Sequence, residues 1–168
     1  FIAGYWRNRV PLNDEQSRPW FDGALILLAV CSLGAWGVAV IQVVAPEGYL
    51  MMKSMTHFFL AAFTEGWVVL VLTGILISEL SLNEKDWPIS PQFVLGAIAI
   101  GAPLTFPYGI SESLLSPMLL IVARFGGLLT AVGLLLVVYT LISSGKWKKS
   151  IWVWPISLLA LKGIMQMI

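Results

Sequence analysis

Five long apolar stretches, residues 20–45, 55–77, 92–108, 115–142 and 151–168, set the limits on what this chain can fold into. A helix that spans a bilayer needs about 20 predominantly apolar residues, because each adds about 1.5 Å towards a hydrocarbon core about 30 Å thick. The five stretches meet or approach that length. Composition agrees: 58% of the 168 residues are hydrophobic and 11% are charged, against roughly 25% charged in soluble domains. A water-soluble fold could not cover this much apolar surface. The expected fold is therefore all-α, a polytopic integral membrane helix bundle of about five transmembrane helices. Residues 1–168 form one membrane domain in the lipid bilayer, without internal repeats.

Prolines and glycines punctuate the stretches. Pro46 and Gly48 close the first, Pro88 and Pro91 precede the third, and Pro117 falls in the first turn of the fourth, where proline is tolerated. Pro103 and Pro107 interrupt the third, which predicts a kink or an early end. Ala35/Ala39, Ala97/Gly101 and Gly127/Ala131 have the small-xxx-small spacing that lets membrane helices approach closely. They are read as packing contacts. The chain begins at Phe1 and ends in an apolar run at Ile168, and it is read as part of a longer polypeptide with other membrane subunits as expected partners.

Lysine and arginine collect near alternate segment ends. Arg7, Arg9 and Arg18 precede the first stretch, Lys85 lies in the second loop, and Lys146, Lys148 and Lys149 lie in the fourth; the first loop has only Lys53 and the third none. The positive-inside rule then places the N-terminus in the cytoplasm. Trp20, Trp87, Trp147 and Trp152 fall at the inner boundary and Tyr49 and Tyr108 at the outer one, as interfacial aromatics would. A net charge of +1 without a basic cluster leaves no footprint for nucleic acid. Cys31 is alone in an apolar run, which reads as a packing residue. No HExxH, CxxC, GxGxxG or P-loop spacing occurs. Asp14, Glu15 and the Glu84-Lys85-Asp86 run read as solvated loop charges.

Three ionisable residues sit deep in the apolar stretches: Glu65, Arg124 and Lys162. Charges at such depth are costly and usually line an interior pathway or pair with one another. Helical rise puts Glu65 about 15 Å below Met55, Arg124 about 14 Å below Leu115 and Lys162 about 17 Å above Ile151, all near one depth. Glu65 and Arg124 are the expected pair, with Lys162 joining if the fifth helix packs nearby. Such a network can fix helix arrangement, carry a proton or ion, or serve the propionates of a cofactor.

His57 is the only histidine and lies near the outer end of the second stretch. A neutral imidazole can ligate haem iron or copper, and it can equally hydrogen-bond a backbone or headgroup at the interface. The run Met55-Thr56-His57-Phe58-Phe59-Leu60-Ala61-Ala62-Phe63-Thr64-Glu65-Gly66-Trp67, continuing to Leu72-Thr73-Gly74, resembles the second helix of the haem-copper oxidase and nitric oxide reductase superfamily. The resemblance implies that His57 is an axial ligand of a low-spin haem. It implies a subunit or fragment of a respiratory-type electron-transfer complex, part of an oxidoreductase. Glu65 departs from that family's pattern, and the family's other ligand-bearing helices have no counterpart here, so the second ligand would come from elsewhere. Two other functions fit the residues. One is a small proton or ion transporter or channel component using Glu65 and Arg124, and the other is a non-catalytic accessory subunit.

Overall fold

Where the apolar runs lie, helices form, and the turns fall at the prolines and glycines between them. The computed structural model describes residues 16–146 and 153–166. Helix α1 is Arg18–Val44, α2 is Tyr49–Glu79, α3 is Pro91–Leu104, α4 is Pro117–Ser143 and α5 is Val153–Met165. No strand occurs among the described residues. Four helices, α1, α2, α4 and α3 extended to Gly109, are long and apolar enough to cross a membrane. The fold is an all-α membrane helix bundle. The fifth apolar stretch is described as α5 over 13 residues, an apolar helix shorter than the other four.

Proline sets two of the boundaries as expected. Pro117 opens α4, capped by the Ser116 hydroxyl, which accepts from the Leu119 N–H at 3.4 Å. The third run ends early: α3 stops at Leu104, and Phe106–Gly109 continues as a 3-10 turn. Pro107 has no N–H to donate into a further α-turn, so the chain tightens instead. Helix α2, however, begins at Tyr49 and not near residue 55. Lys53 therefore lies inside α2, its Nζ 6.0 Å from the Tyr49 ring centroid, and not in a loop.

Within α2, residues Ala61–Trp67 wind as a π-helix. Such turns are rare and concentrate at functional sites. Gly66 in this turn faces α1 and α3, where an added Cβ would lie 2.6 Å from Leu27 Cδ1 and 3.4 Å from Ala102 Cβ. Phe59, Phe63 and Trp67 stack along the same helix, with centroids 5.6 and 4.8 Å apart.

The tightest crossing joins α3 to α4. A Cβ on Gly101 would meet Thr130 Oγ1 at 2.5 Å and the Gly126 carbonyl at 2.8 Å, and one on Gly133 would meet Ile98 at 2.7 Å. Without a hydrophobic drive in lipid, this backbone approach is where packing energy is gained. Ala97/Gly101 and Gly127/Ala131 are buried, whereas Ala35 and Ala39 are exposed. Gly34 supplies the small surface on α1, against the Met55 carbonyl of α2. Helix α5 runs antiparallel to α4, with Gly163 against Leu134 and Leu135 and the Gln166 backbone near Gly127.

Trp20 and Trp87 stack at 5.6 Å at the end where α1 begins, and Trp20 is buried. Tyr49 and Tyr108 are exposed at the opposite end. Cys31 is buried and its thiol faces the Leu28 carbonyl at 3.1 Å. The expectations for Arg7, Arg9, Asp14, Glu15, Trp147, Lys148, Lys149 and Trp152 lie outside the described residues. Asp86 is more than a solvated charge: it caps the Asn83–Asp86 turn and pairs with Lys146 at 2.9 Å. Lys146 also donates to the Ser81 carbonyl at 2.8 Å, which ties the end of α4 to the α2–α3 loop.

Candidate functional site

Glu65 lies near the middle of α2, inside the π-helical turn. Its carboxylate meets groups from two other elements. Lys162 Nζ, in the last turn of α5, stands 3.4 Å from Oε1. Gln166, just past α5, donates from Nε2 to Oε2. Thr105, at the break after α3, places its hydroxyl 3.3 Å from the same oxygen and 2.8 Å from the Ala102 carbonyl. Thr105 is buried, and Gln166 Oε1 is buried without a hydrogen-bond partner.

The pairing differs from the one expected. Glu65 and Lys162 come together, while Arg124 lies exposed on α4 beside Ile121, Phe125 and Leu128, which are exposed too. Arg124 has no ion-pair partner among the described residues. Depth along a helix is legible in sequence, but the direction in which a residue points is fixed by packing. Gly126, Gly127 and Gly133 turn one face of α4 towards α3 and α5, and this leaves Arg124 off that face. No sequence pattern marks Thr105 or Gln166: a lone polar residue after a proline-broken helix or near a chain end carries none.

His57 is half-buried and shares an open cleft of about 270 Å³ with Glu65, lined also by Ala61, Thr105, Phe106 and Tyr108. Its ring lies against Gly109, where an added Cβ would fall on the imidazole. Pockets for small ligands occupy about 300–1,000 Å³, so this cleft is small for a haem. Lys162, a cation that could have faced a propionate, is engaged by Glu65. The described residues contain no group of three His, Cys, Asp or Glu side chains placed to hold a metal ion. The cleft is small for haem and its lining offers a single histidine, so these residues do not fit that group.

Chemically, the cluster is one carboxylate with an ammonium, a hydroxyl and an amide around it. It can hold or release one proton, and its carboxylate, hydroxyl and amide oxygens are hard donors of the kind that suit hard cations. The backbone around it is irregular on two helices, the π-turn in α2 and the break after α3. Interrupted helices near the membrane midplane are where transporters build ion sites.

The fold defines a polytopic α-helical membrane protein. No family model matches the chain, and no solved structure matches it. Among curated proteins it is similar to the Na(+)/H(+) antiporter NhaB of Yersinia pestis bv. Antiqua (strain Angola), 28% identical over 96 residues. The same identity over the same length holds for the Na(+)/H(+) antiporter NhaB of Yersinia pseudotuberculosis serotype O:3 (strain YPIII). In each case the match covers 55% of this chain and 18% of the relative's length.

Proposed function

We propose that this chain is a part of a membrane ion transporter in which Glu65 is the carrier group, exchanging a proton for a monovalent cation. The observation that carries this reading is the Glu65–Lys162 pair, set among Thr105 and Gln166 in the middle of an apolar helix and beside an open cleft. An ionisable side chain kept at that depth has a cost that a purely apolar helix would avoid. The partial likeness to proteins named Na(+)/H(+) antiporters favours ion exchange over electron transfer.

In this reading the Lys162 ammonium compensates the Glu65 charge while the site is empty of other cations. A proton or a metal cation arriving at the carboxylate competes with that ammonium. Only one can neutralise Glu65 at a time, which is the minimum requirement for exchange. The test is reconstitution of the full-length polypeptide in proteoliposomes, with an imposed Na+ gradient and an internal pH dye. Glu65→Gln should abolish exchange, and Glu65→Asp should retain part of it. Exchange at the unmodified rate in Glu65→Gln would remove the proposal.

A further inference from the structure

The hydrogen-bond count at Thr105 does not close for a charged Glu65. The Thr105 hydroxyl has one hydrogen and two acceptors in front of it, the Ala102 carbonyl at 2.8 Å and Glu65 Oε2 at 3.3 Å. Hydroxyl hydrogen bonds cluster near 2.7–2.8 Å, so the carbonyl takes that hydrogen. Two oxygens, Thr105 Oγ1 and Glu65 Oε2, then face each other with no hydrogen between them while Glu65 is ionised.

We propose that Thr105 is the positioning residue for the proton-loaded state of Glu65, accepting the carboxylic O–H on its Oγ1 while donating its own hydrogen to the Ala102 carbonyl. This rests on the reading that Glu65 exchanges protons. One proton taken up through the open cleft beside Glu65 balances the step. That proton bonds to Oε2 and points at Thr105 Oγ1, and it ends the charge pairing with Lys162, whose ammonium is left facing a neutral carboxyl oxygen. Oε2 keeps a lone pair for the Gln166 amide, and Oε1 remains beside Lys162. The ionised state keeps the Lys162 and Gln166 contacts, and the loaded state gains the Thr105 contact. Each protonation state thus has partners already in place. The other ionisable groups facing this position are Tyr108, from the turn after α3, and His57, from α2 itself, both along the cleft. Helix α1 meets the π-turn through the apolar contact of Leu27 with Gly66.

The test is infrared difference spectroscopy on the full-length reconstituted protein between acid and alkaline pH, alongside the proton-flux assay. The carbonyl band lost in Glu65→Gln is the Glu65 band. In Thr105→Val, which keeps the shape and removes the acceptor, that band should move to higher wavenumber because its O–H has lost its acceptor. Flux should fall about three- to tenfold, the worth of one hydrogen bond. Thr105→Ser should restore band position and flux. A Glu65 band at the same position in Thr105→Val, or no Glu65 band at any pH the protein tolerates, would overturn the inference. The two readings fail separately. A Glu65 band that answers to Thr105 in protein that moves no cations would keep the positioning role and remove transport. Exchange that needs Glu65 while the band ignores Thr105 would do the reverse.

Discussion

Glu65 and Arg124 show how differently one bilayer treats two charges. Glu65 is 25% exposed and has an ammonium, an amide and a hydroxyl within reach. Arg124 has an exposed apolar face around it and lies about 10 Å from the start of α4, close enough for a long side chain to stretch back towards the headgroups. Opposite consequences of substitution are expected. Arg124→Leu should leave the fold intact or stabilise it by about 1–2 kcal/mol, since leucine is favoured and arginine disfavoured on a lipid-facing helix. Lys162→Met should destabilise, and the cycle combining it with Glu65→Gln should show coupling of about 1–2 kcal/mol. Reversible unfolding in mixed micelles measures both. A marked loss of stability in Arg124→Leu would mean that Arg124 has a partner, and an additive Glu65/Lys162 cycle would mean that their contact is idle. The three charges could be found in the sequence by their depth alone. Which two of them meet was not legible, because that depends on rotations of α4 and α5 set by Gly126, Gly127, Gly133 and Gly163.

At the scale of elements, backbone approach and loop ties divide the labour. Gly96 and Gly101 lie on the same helix, yet an added Cβ at Gly96 meets nothing within 4 Å, whereas one at Gly101 runs into the Gly126 carbonyl and Thr130. Gly101→Ala should cost about 1–3 kcal/mol by overpacking, and Gly96→Ala should be neutral or gain up to about 1 kcal/mol in helix propensity. Equal effects on unfolding would mean that α3 and α4 are not held by this crossing. At the end of the bundle where α4 stops, Asp86 is held below its ordinary value of 3.8 by the Asn83 backbone N–H first and by Lys146 second. A carboxylate with a lowered folded value stabilises the fold above its unfolded value and loses that contribution as pH falls through the folded one. Protection factors of the 82–87 amides, with the intrinsic pH dependence of exchange removed, should therefore fall as the pH drops below about 4, and Lys146→Met should lower them in part at neutral pH. Protection factors that stay constant over that range would show that Asp86 does not tie the loop. The helices themselves were legible from apolar length and proline placement, to within a few residues at most ends. The π-turn was not, since Ala61–Trp67 has an ordinary helical composition, and neither was the Asp86–Lys146 tie between loops distant in sequence.

For the whole molecule, the up-and-down course of α1 to α4 separates two ends of different charge. The end joined by Trp20–Trp87 and Lys146–Asp86 carries Arg18, Lys85 and Lys146, with Arg7, Arg9, Lys148 and Lys149 adjoining in sequence. The other end has only Lys53, already inside α2. The positive-inside rule predicts that the first end faces the cytoplasm. The Glu65 cleft extends towards the opposite end, where His57 and Gly109 lie; under the exchange proposed above, that end is the side from which Glu65 takes its proton. In a Cys31→Ala background, Glu47→Cys should react with a membrane-impermeant maleimide on intact cells, and Asn83→Cys should react only after the membrane is opened. Both positions are exposed, so lack of access cannot hide the answer. Labelling of Asn83→Cys from outside would invert the bundle and make the cleft a cytoplasmic entrance, leaving the Glu65 cluster unchanged but reversing the side from which its proton arrives.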